Sequence, residues 1–223
     1  MTSFEEDALA ADQEWAAGWK RGPVRLRWDV VPVQIDDPAP DLEVDDSIGK
    51  PVKLSSFWTD RPALLLFWRH FGCSCGMDRA ARLRTELQAY LEAGANVVIV
   101  GQGEPNRAAA YKEKQELACP ILCDPHRRLY QAYGLLEGTT AQVLFDAPDE
   151  FLRRDPQAGM DLMTSRRDSD RRLVDDPWQL PGEFVVATDG RLRLTYRYQY
   201  CEDYPDPRVL ISAIKLARWE KGS

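Results

Sequence analysis

The stretch Ala63-Leu-Leu-Leu-Phe-Trp-Arg-His-Phe-Gly-Cys-Ser-Cys-Gly76 joins a wholly apolar run to a pair of cysteines flanked by glycines. An apolar run without polar alternation is typical of a strand that is covered on both faces of a sheet. The two cysteines, Cys73 and Cys75, follow this run within a few residues. The stretch therefore predicts a buried strand that ends in a loop carrying two thiols.

Strand and helix patterns alternate after this run. Helical periodicity covers residues 78–91, 105–117 and 126–133, and apolar strand patterns cover residues 96–101 and 120–123. Such alternation requires crossover connections and predicts a mainly parallel sheet. Near the end of the chain, strands at 183–187 and 192–198 around Thr188-Asp-Gly190 have the pattern of a hairpin, and a helix at 207–219 follows. We expect an α/β sandwich with a mixed central sheet, parallel in its first half and completed by an antiparallel hairpin.

Two further segments flank this core. Ser3-Phe-Glu-Glu6 has the spacing of a capping box and predicts a helix over residues 4–20, with Ala8, Ala11, Trp15 and Trp19 on its apolar stripe. We assign residues 1–32 to this N-terminal helix and an extended arm, and residues 33–223 to the main domain. Residues 146–180 form a charged insertion before the hairpin. A segment this long is expected to be a lid or binding segment, or else a partly helical surface insertion.

Composition and charge exclude several classes of protein. The chain has 223 residues, of which 44% are hydrophobic and 29% are charged, and this excludes a mostly disordered chain. A net charge of −7 argues against general nucleic-acid binding. The acidic N-terminus leads into no apolar segment of a secretory signal, and no apolar run is long enough to span a bilayer. We therefore expect a cytoplasmic protein whose five cysteines serve redox or metal chemistry in preference to structural disulfides.

Cys73 has the position of a reactive thiol. Reactive groups collect at the carboxyl ends of parallel strands, and Cys73 follows such a strand and opens a helix. Unpaired N–H groups and the helix dipole at that point favour the thiolate, and Arg69 and His70 add positive charge. A thiolate attacks a peroxide oxygen or a disulfide sulfur, which a neutral buried thiol does poorly. For His70, a structural hydrogen-bonding role is the alternative.

The spacing of Cys75 raises a geometric question. Residues two apart on a helix point about 200° apart, so a Cys73–Cys75 disulfide is expected to require a loosened first turn, which Gly72 and Gly76 would permit. Such a bond would be easily reduced and hence catalytic or regulatory. The alternative is that both cysteines are small buried apolar residues. Cys201 is a second candidate for the resolving thiol, with a packed core cysteine as its alternative reading.

The remaining cysteines leave a metal site to consider. Cys73, Cys75, Cys119 and Cys123 together resemble a four-thiolate zinc set. In the predicted sheet, however, the strand bearing Cys123 lies two positions from the strand that leads to Cys73, which separates the sulfurs by about 10 Å. We therefore expect no metal and no organic cofactor, and we expect Cys119 and Cys123 to be core or strand-end residues. His126 is expected to face solvent.

Longer stretches of the chain resemble a known family. Asp37-Pro-Ala-Pro-Asp-Leu-Glu43, Lys50-Pro-Val-Lys-Leu-Ser55 and Leu66-Phe-Trp-Arg-His-Phe-Gly-Cys73 are similar to alkyl hydroperoxide reductase/thiol-specific antioxidant (AhpC/TSA) proteins, above all to their peroxiredoxin-like branch. Cys119-Pro-Ile-Leu-Cys-Asp-Pro125, Tyr130-Gln-Ala-Tyr-Gly134, Pro181-Gly-Glu-Phe-Val-Val186 and Asp189-Gly-Arg-Leu-Arg193 continue the match in order. The resemblance implies a thioredoxin-like, peroxiredoxin-type three-layer sandwich and a thiol-dependent peroxidase or disulfide reductase. Cys73 falls at the position of the family's first active-site cysteine.

The chain also departs from the family pattern. Typical peroxiredoxins carry Pro-x-x-x-Thr-x-x-Cys, whereas Leu66 and His70 occupy the proline and threonine positions here, so the hydroxyl that helps bind peroxide is missing. Relatives with Arg-His-x-Gly-Cys continue as Cys-x-x-Cys, and this chain has Cys-x-Cys. Pro181 matches the cis-proline of thioredoxin-like oxidoreductases, so we expect a cis peptide bond there. We assign Pro181, Gly72 and Phe71 to the substrate side of the site.

Three functions follow as hypotheses. In the first, Cys73 attacks a peroxide or disulfide, Cys75 or else Cys201 resolves the product, and an external thiol or thioredoxin-type protein restores the dithiol. In the second, the chain is a non-catalytic thioredoxin-fold binding protein with an inert Cys73. In the third, the same thiols act on a small disulfide or endoperoxide in specialised metabolism. Because family members pair, we also expect a homodimer, with the N-terminal helix as its interface or as a cover for its own sheet.

Overall fold

A computed structural model describes residues 2–143, 157 and 175–219 of the chain. The strands of this part are β1 (Glu43–Asp46), β2 (Pro51–Lys53), β3 (Ala63–Phe67), β4 (Asn96–Gly101), β5 (Ile121–Cys123), β6 (Gly182–Val186) and β7 (Leu192–Arg197). Its helices are α1 (Ser3–Arg21), α2 (Ser74–Ala93), α3 (Pro105–Lys114), α4 (Arg128–Ala132), α5 (Thr140–Val143) and α6 (Pro207–Trp219), with a 3₁₀ helix at Leu54–Trp58. The described strands form one open sheet in the order β2-β1-β5-β4-β3-β6-β7.

Strand β3 lies inside the sheet, as its apolar sequence predicts. It pairs in parallel with β4, and β4 pairs in parallel with β5. On the other side, β6 pairs antiparallel with β3 and then with β7. At the β5 edge, β1 and β2 add two further antiparallel strands. The predicted mixed sheet with a terminal hairpin is therefore confirmed.

Helices cover both faces of this sheet. Alternate side chains of a strand point to opposite faces. Accordingly, Leu64 and Leu66 belong to the core cluster that includes side chains of α2, α3 and α6, while Leu65 and Phe67 belong to the cluster that includes α4. All five side chains of β3 are buried, and full burial of a leucine contributes about 2 kcal/mol. The strand that leads to the cysteines is thus fixed from both faces of a three-layer sandwich.

The first turn of α2 lies before the residues whose helical periodicity begins at 78. The helix begins at Ser74 with Cys73 as its N-cap residue, so Cys73 opens the helix as expected. Two hydrogen bonds from distant tyrosines hold the additional turn: Tyr111 Oη donates to Gly76 O at 2.9 Å, and Tyr204 Oη donates to Cys75 O at 2.8 Å. Glycine is a poor helix former and cysteine is a weak one. The turn therefore depends on tertiary contacts that local sequence does not indicate.

Helix α1 packs against its own chain. Its capping box lies one residue earlier than expected, because Thr2 Oγ1 accepts from Glu5 N and the Glu5 carboxylate accepts from Thr2 N at 2.8 Å. The predicted apolar stripe is confirmed, since Ala8, Ala11, Trp15 and Trp19 are all buried within the single chain. Helix α1 therefore packs within its own chain, on α3 and on the segment of Trp178 and Leu180, and its role as a dimer interface stays a prediction.

The end of the charged insertion is also part of the core. Residues 146–156 and 158–174 of the predicted insertion lie outside the described residues, whereas residues 175–180 are described and buried. Trp178 and Leu180 pack with Trp15, Trp19 and Val143 in a separate apolar cluster. Among the helices described, none is long and apolar enough to cross a membrane.

Candidate active site

The loop that follows β3 is fixed by the neighbouring strand. Trp68 N donates to Val100 O at 2.9 Å, which extends the parallel pairing beyond the end of β3. Gln102, just after β4, donates from Nε2 to Arg69 O at 2.9 Å. Cys73 N then donates to His70 O at 3.1 Å, closing a turn before α2. The path from the sheet to Cys73 is therefore fixed by hydrogen bonds to β4, to the Gln102 side chain just after it, and within the loop itself.

Phe71 anchors this loop. Its ring stacks on Tyr111 with the centroids 4.7 Å apart, and it lies over Gly101 and Gly103. A Cβ atom at Gly101 would be 2.4 Å from the Phe71 ring, and one at Gly103 would be 2.6 Å from it. Gly101-Gln-Gly103, which by itself indicates no more than a turn, is thus the surface on which Phe71 rests. Phe71 is buried in this position, and its assignment to substrate binding stays a prediction.

Cys73 and Cys75 are joined by a disulfide bond, with their Cα atoms 5.3 Å apart. The expectation that this bond requires a loosened helical turn is wrong. Cys73 has extended backbone angles (φ −72°, ψ 136°) and lies outside the helix, while Cys75 is inside the first turn. The 200° separation applies only when both residues are helical. One residue before the helix and one inside it can therefore bring their sulfurs together without distorting α2.

Arg69 is the charged partner of the two sulfurs. Its Nη1 donates to Cys73 Sγ at 3.0 Å and lies 3.7 Å from Cys75 Sγ. Its side chain is buried, and burial lowers the pKa of Arg69, while the Cys201 thiol and the Asp176 carboxylate act in the opposite direction. In the described part of the chain, its hydrogen-bond acceptors are two carbonyl oxygens and the sulfurs. A buried guanidinium bonded to no carboxylate strongly favours an anion beside it, and a Cys73 thiolate would supply that anion.

Cys201 completes a group of three buried sulfurs. It packs with Cys73 and Cys75, and its backbone N–H donates to Gln142 O at 2.9 Å. A narrow cleft leads to Cys75 and Cys201 between Pro181, Tyr198 and Tyr204. The open volume of this cleft is about 10 Å³, close to the minimum that one water molecule needs. With the disulfide formed, the cleft beside the sulfurs is therefore narrow and holds about one water molecule.

A buried ion cluster beside the cleft was not expected from the sequence. Arg79 Nε donates to Glu183 Oε1 at 2.9 Å, and Tyr198 Oη donates to the same oxygen at 2.7 Å. Arg79 also contacts Glu86 at 2.7 Å. In the sequence, the residue that indicates this ion cluster is Glu183, because a carboxylate at the start of an otherwise apolar strand requires a buried cation. Arg79 thus lines the cleft that contains Cys75, with its charge balanced by Glu183 and Glu86.

The other predicted site residues lie around this centre. His70 and Gly72 are buried in the loop before Cys73. Pro181 lines the cleft, but the expected cis bond is wrong, since no peptide bond in the described residues is cis. The segment runs directly into β6, and Pro181 O accepts from Tyr198 N at 3.2 Å, so an extended trans strand satisfies the backbone without a turn. A trans Pro181 still reaches the cleft as a wall residue.

The cysteines assigned to the core are found there. Cys123 lies on β5, which is separated from β3 by β4, as the predicted sheet requires. Burial raises the pKa of Cys119 to about 11 and that of Cys123 to about 12, so both thiols stay protonated at neutral pH. His126 is exposed, as predicted. The other three cysteines, Cys73, Cys75 and Cys201, lie together in a separate buried cluster.

Comparison with known proteins agrees with this geometry. The sequence profile of the AhpC/TSA family matches residues 35–195, most of the chain and all of the sheet up to the middle of β7. The chain belongs to the AhpC/TSA family. This AhpC/TSA protein is 28% identical over 178 residues to the thioredoxin-like protein AAED1, chloroplastic, of Arabidopsis thaliana, an alignment that covers 75% of this chain and 67% of the relative. It is 26% identical to peroxiredoxin-like 2C of Bos taurus over 44% of this chain and 43% of that protein.

A solved structure shows the same fold. The crystal structure of peroxidoxin BcpB from Mycobacterium tuberculosis superposes with a TM-score of 0.57 at 18% identity, over 84% of this chain and 97% of that chain. The AhpC/TSA protein described here therefore has the thioredoxin-like, peroxiredoxin-type fold that the sequence predicts. Helix α1 precedes the matched region, which begins at residue 35.

Proposed function

We propose that this AhpC/TSA protein is a thiol-dependent oxidoreductase that reduces peroxides or disulfides through Cys73. The observation that carries the proposal is the placement of Cys73 at the N-cap of α2, with Arg69 Nη1 at 3.0 Å from its sulfur and Cys75 within bonding distance. Positive charge and a helix N-terminus both lower the pKa of a thiol. A resolving thiol next to the nucleophile completes the minimum set for a redox cycle.

The first step is an attack by the Cys73 thiolate. On a peroxide, the sulfur bonds to one oxygen, the O–O bond breaks, and the departing alkoxide takes a proton to leave as an alcohol or water. On a disulfide, the sulfur bonds to one sulfur and the other leaves as a thiolate. Arg69 would stabilise the thiolate before attack and the developing negative charge on the leaving atom. We assign His70, which occupies the family's threonine position, the same role of stabilising negative charge at the site.

The second step forms the disulfide seen in the structure. The Cys75 sulfur attacks the sulfur of the Cys73 sulfenic acid or mixed disulfide, releasing water or the second thiol. Two thiols from outside the chain, on one molecule or on two, then reduce the Cys73–Cys75 bond to two thiols and are themselves oxidised to a disulfide. We expect a thioredoxin-type protein or a small thiol in this role. Neither step requires a metal or an organic cofactor.

The closed cleft supports a specific order of events. Because the cleft beside the disulfide holds no more than about one water molecule, substrate would enter after reduction has separated the sulfurs. Pro181 and the loop of Phe71 and Gly72 form the substrate side in this proposal. The proposed cycle therefore alternates between a narrow cleft in the oxidised protein, which the reductant thiol has to enter, and a wider cleft in the reduced protein.

The decisive experiment is a pH titration of Cys73. Fully reduced protein is alkylated across a range of pH, before and after one equivalent of hydrogen peroxide, and each cysteine is quantified by mass spectrometry. We expect Cys73 to titrate well below the ordinary thiol value of about 8.5 and to become disulfide-bonded to Cys75 after peroxide. An ordinary pKa with no site-selective oxidation would overturn the proposal and favour a non-catalytic binding protein.

A further inference from the structure

The side chain of Arg69 is oriented by a segment that is distant in sequence. Its Nε donates to Gln179 O at 3.2 Å, and its Nη2 donates to Pro177 O. These two carbonyls stand on either side of Trp178, so one tripeptide holds two of the three nitrogens of the guanidinium. The third nitrogen, Nη1, points at the sulfur of Cys73.

Trp178 is in turn held by the N-terminal helix. Its indole N–H donates to Gly18 O at 2.7 Å, and its ring stacks on Trp19 with the centroids 5.0 Å apart. Trp19 stacks on Trp15 at 5.4 Å, so the three indoles form a continuous stack. Trp178 is fully buried, and stacked aromatic pairs stabilise a fold beyond the burial of their area.

Contacts on both sides of Trp178 fasten the same segment to the fold. Pro177 packs on Gly18, where a Cβ atom would lie 3.0 Å from the proline Cδ. Asp176 Oδ2 accepts from Arg21 at 2.6 Å and from Arg127 at 2.5 Å. The backbone carbonyls that hold Arg69 therefore have little freedom to move while α1 is in place.

We propose that Trp178 is a positioning residue for Cys73: docked on α1, it holds the carbonyls of Pro177 and Gln179 where they aim Arg69 at the sulfur. Helix α1 lies before residue 35, at which the match to the AhpC/TSA profile begins. An element outside the shared family domain thereby becomes part of the redox site. The inference rests on the proposed thiolate chemistry of Cys73.

The charged groups around the sulfurs make this inference testable. Apart from the two cysteines of the disulfide, the titratable groups that face Arg69 or the disulfide are His70, Arg79, Asp176, Cys201, Glu202 and Tyr204. A substitution of Trp178 removes none of these charges. A change in the pKa of Cys73 in such a variant therefore reports where Arg69 is placed.

The experiment compares two tryptophan variants of the full chain with the unaltered protein. Trp178→Leu removes the docked indole, and Trp58→Leu is the matched control, because Trp58 is also buried but belongs to the core cluster around α4. The rate of Cys73 alkylation by iodoacetamide is measured on reduced protein against pH. We expect Trp178→Leu to raise the pKa of Cys73 by about one unit, which corresponds to about tenfold less thiolate at a pH below the pKa. Trp58→Leu should shift the pKa of Cys73 by no more than about 0.2 unit.

The possible results separate this inference from the proposed function. If Cys73 of the unaltered protein titrates near about 8.5, the proposed thiolate chemistry fails. If the unaltered protein has a low pKa and Trp178→Leu matches it, the positioning role is overturned and the chemistry stands. Equal shifts of the Cys73 pKa in both variants would indicate a general loosening of the fold and would also overturn the positioning role. Should Trp178→Leu fail to fold by circular dichroism, Trp19→Leu, which removes the stacking partner and keeps Trp178, is judged by the same outcomes.

Discussion

The hydroxyl of Tyr204 donates a hydrogen bond to the carbonyl oxygen of Cys75 at 2.8 Å and so ties the segment before α6 to the first turn of α2. The guanidinium of Arg82, on the same helix, lies 4.9 Å from the centre of the Tyr204 ring. Tyr204 also lines the cleft that leads to Cys75 and Cys201. It is therefore a wall of the route by which a reductant would reach the disulfide.

Loss of the Tyr204 hydroxyl should open this route. A buried hydrogen bond contributes about 1 kcal/mol, so we expect Tyr204→Phe to accelerate reduction of the Cys73–Cys75 disulfide by dithiothreitol about fivefold. The control is Tyr196→Phe, which removes a hydroxyl that donates to Asp203 at 3.1 Å and not to a residue of α2. Equal reduction rates in the two variants would contradict the role of Tyr204 as a wall.

Removal of the Arg69 charge should make Cys73 an ordinary thiol. We expect Arg69→Met to raise the pKa of Cys73 by about one to two units, because an opposite charge in contact with a thiolate shifts its pKa by that amount. Arg69→Lys, which keeps the charge and loses the planar fork, should give an intermediate value. The comparison is Arg84→Met, an exposed position on α2 that contacts Gln115 O. Alkylation of reduced protein against pH measures all three, and an unchanged pKa in Arg69→Met would exclude Arg69 from the site.

Two serine substitutions distinguish the resolving thiol. After one equivalent of hydrogen peroxide, we expect Cys75→Ser to retain Cys73 as a sulfenic acid that reacts with dimedone. Cys201→Ser should instead form the Cys73–Cys75 disulfide as the unaltered protein does. Peptide mass spectrometry identifies each product. A Cys73–Cys201 disulfide in the unaltered protein, with resolution lost in Cys201→Ser, would transfer the resolving role to Cys201.

Asp175 should make stability depend on pH near neutrality. Burial raises the pKa of Asp175 from 3.8 to about 7, while Arg107 at 2.8 Å acts against the rise. The folded protein then binds this proton more tightly than the unfolded chain, so the free energy of unfolding falls as pH rises from 3.8 through about 7. We expect Asp175→Asn to flatten that slope in denaturant titrations, since asparagine tolerates the left-handed backbone at this position (φ 68°). An identical slope in both proteins would show that Asp175 does not titrate in this range.

The predictable parts of this structure are those that a local pattern determines. The apolar run of β3 indicated a central strand, the strand–helix alternation indicated crossovers, and the spacing of Ala8, Ala11, Trp15 and Trp19 indicated the buried face of α1. Cys73 at the end of β3 also followed from the sequence, because the chain order of strand and helix places it at the carboxyl edge of the sheet.

The parts that could not be predicted depend on contacts between distant residues. The first turn of α2 is held by Tyr111 and Tyr204, and Arg69 is aimed by carbonyls more than one hundred positions away. Local periodicity carries no information on such pairs. The conformation of Cys73 is a smaller case of the same kind: the position of the helix start decides whether two cysteines at this spacing can bond.

The location of Cys73 just outside α2 determines which parts of the protein the disulfide connects. The bond joins a loop residue to its near neighbour in the first turn of the helix and closes a ring across the single residue between them. It therefore ties no helix or strand to another one. We expect a partner that distinguishes the oxidised from the reduced protein to contact the mouth of the cleft, where the sulfurs lie.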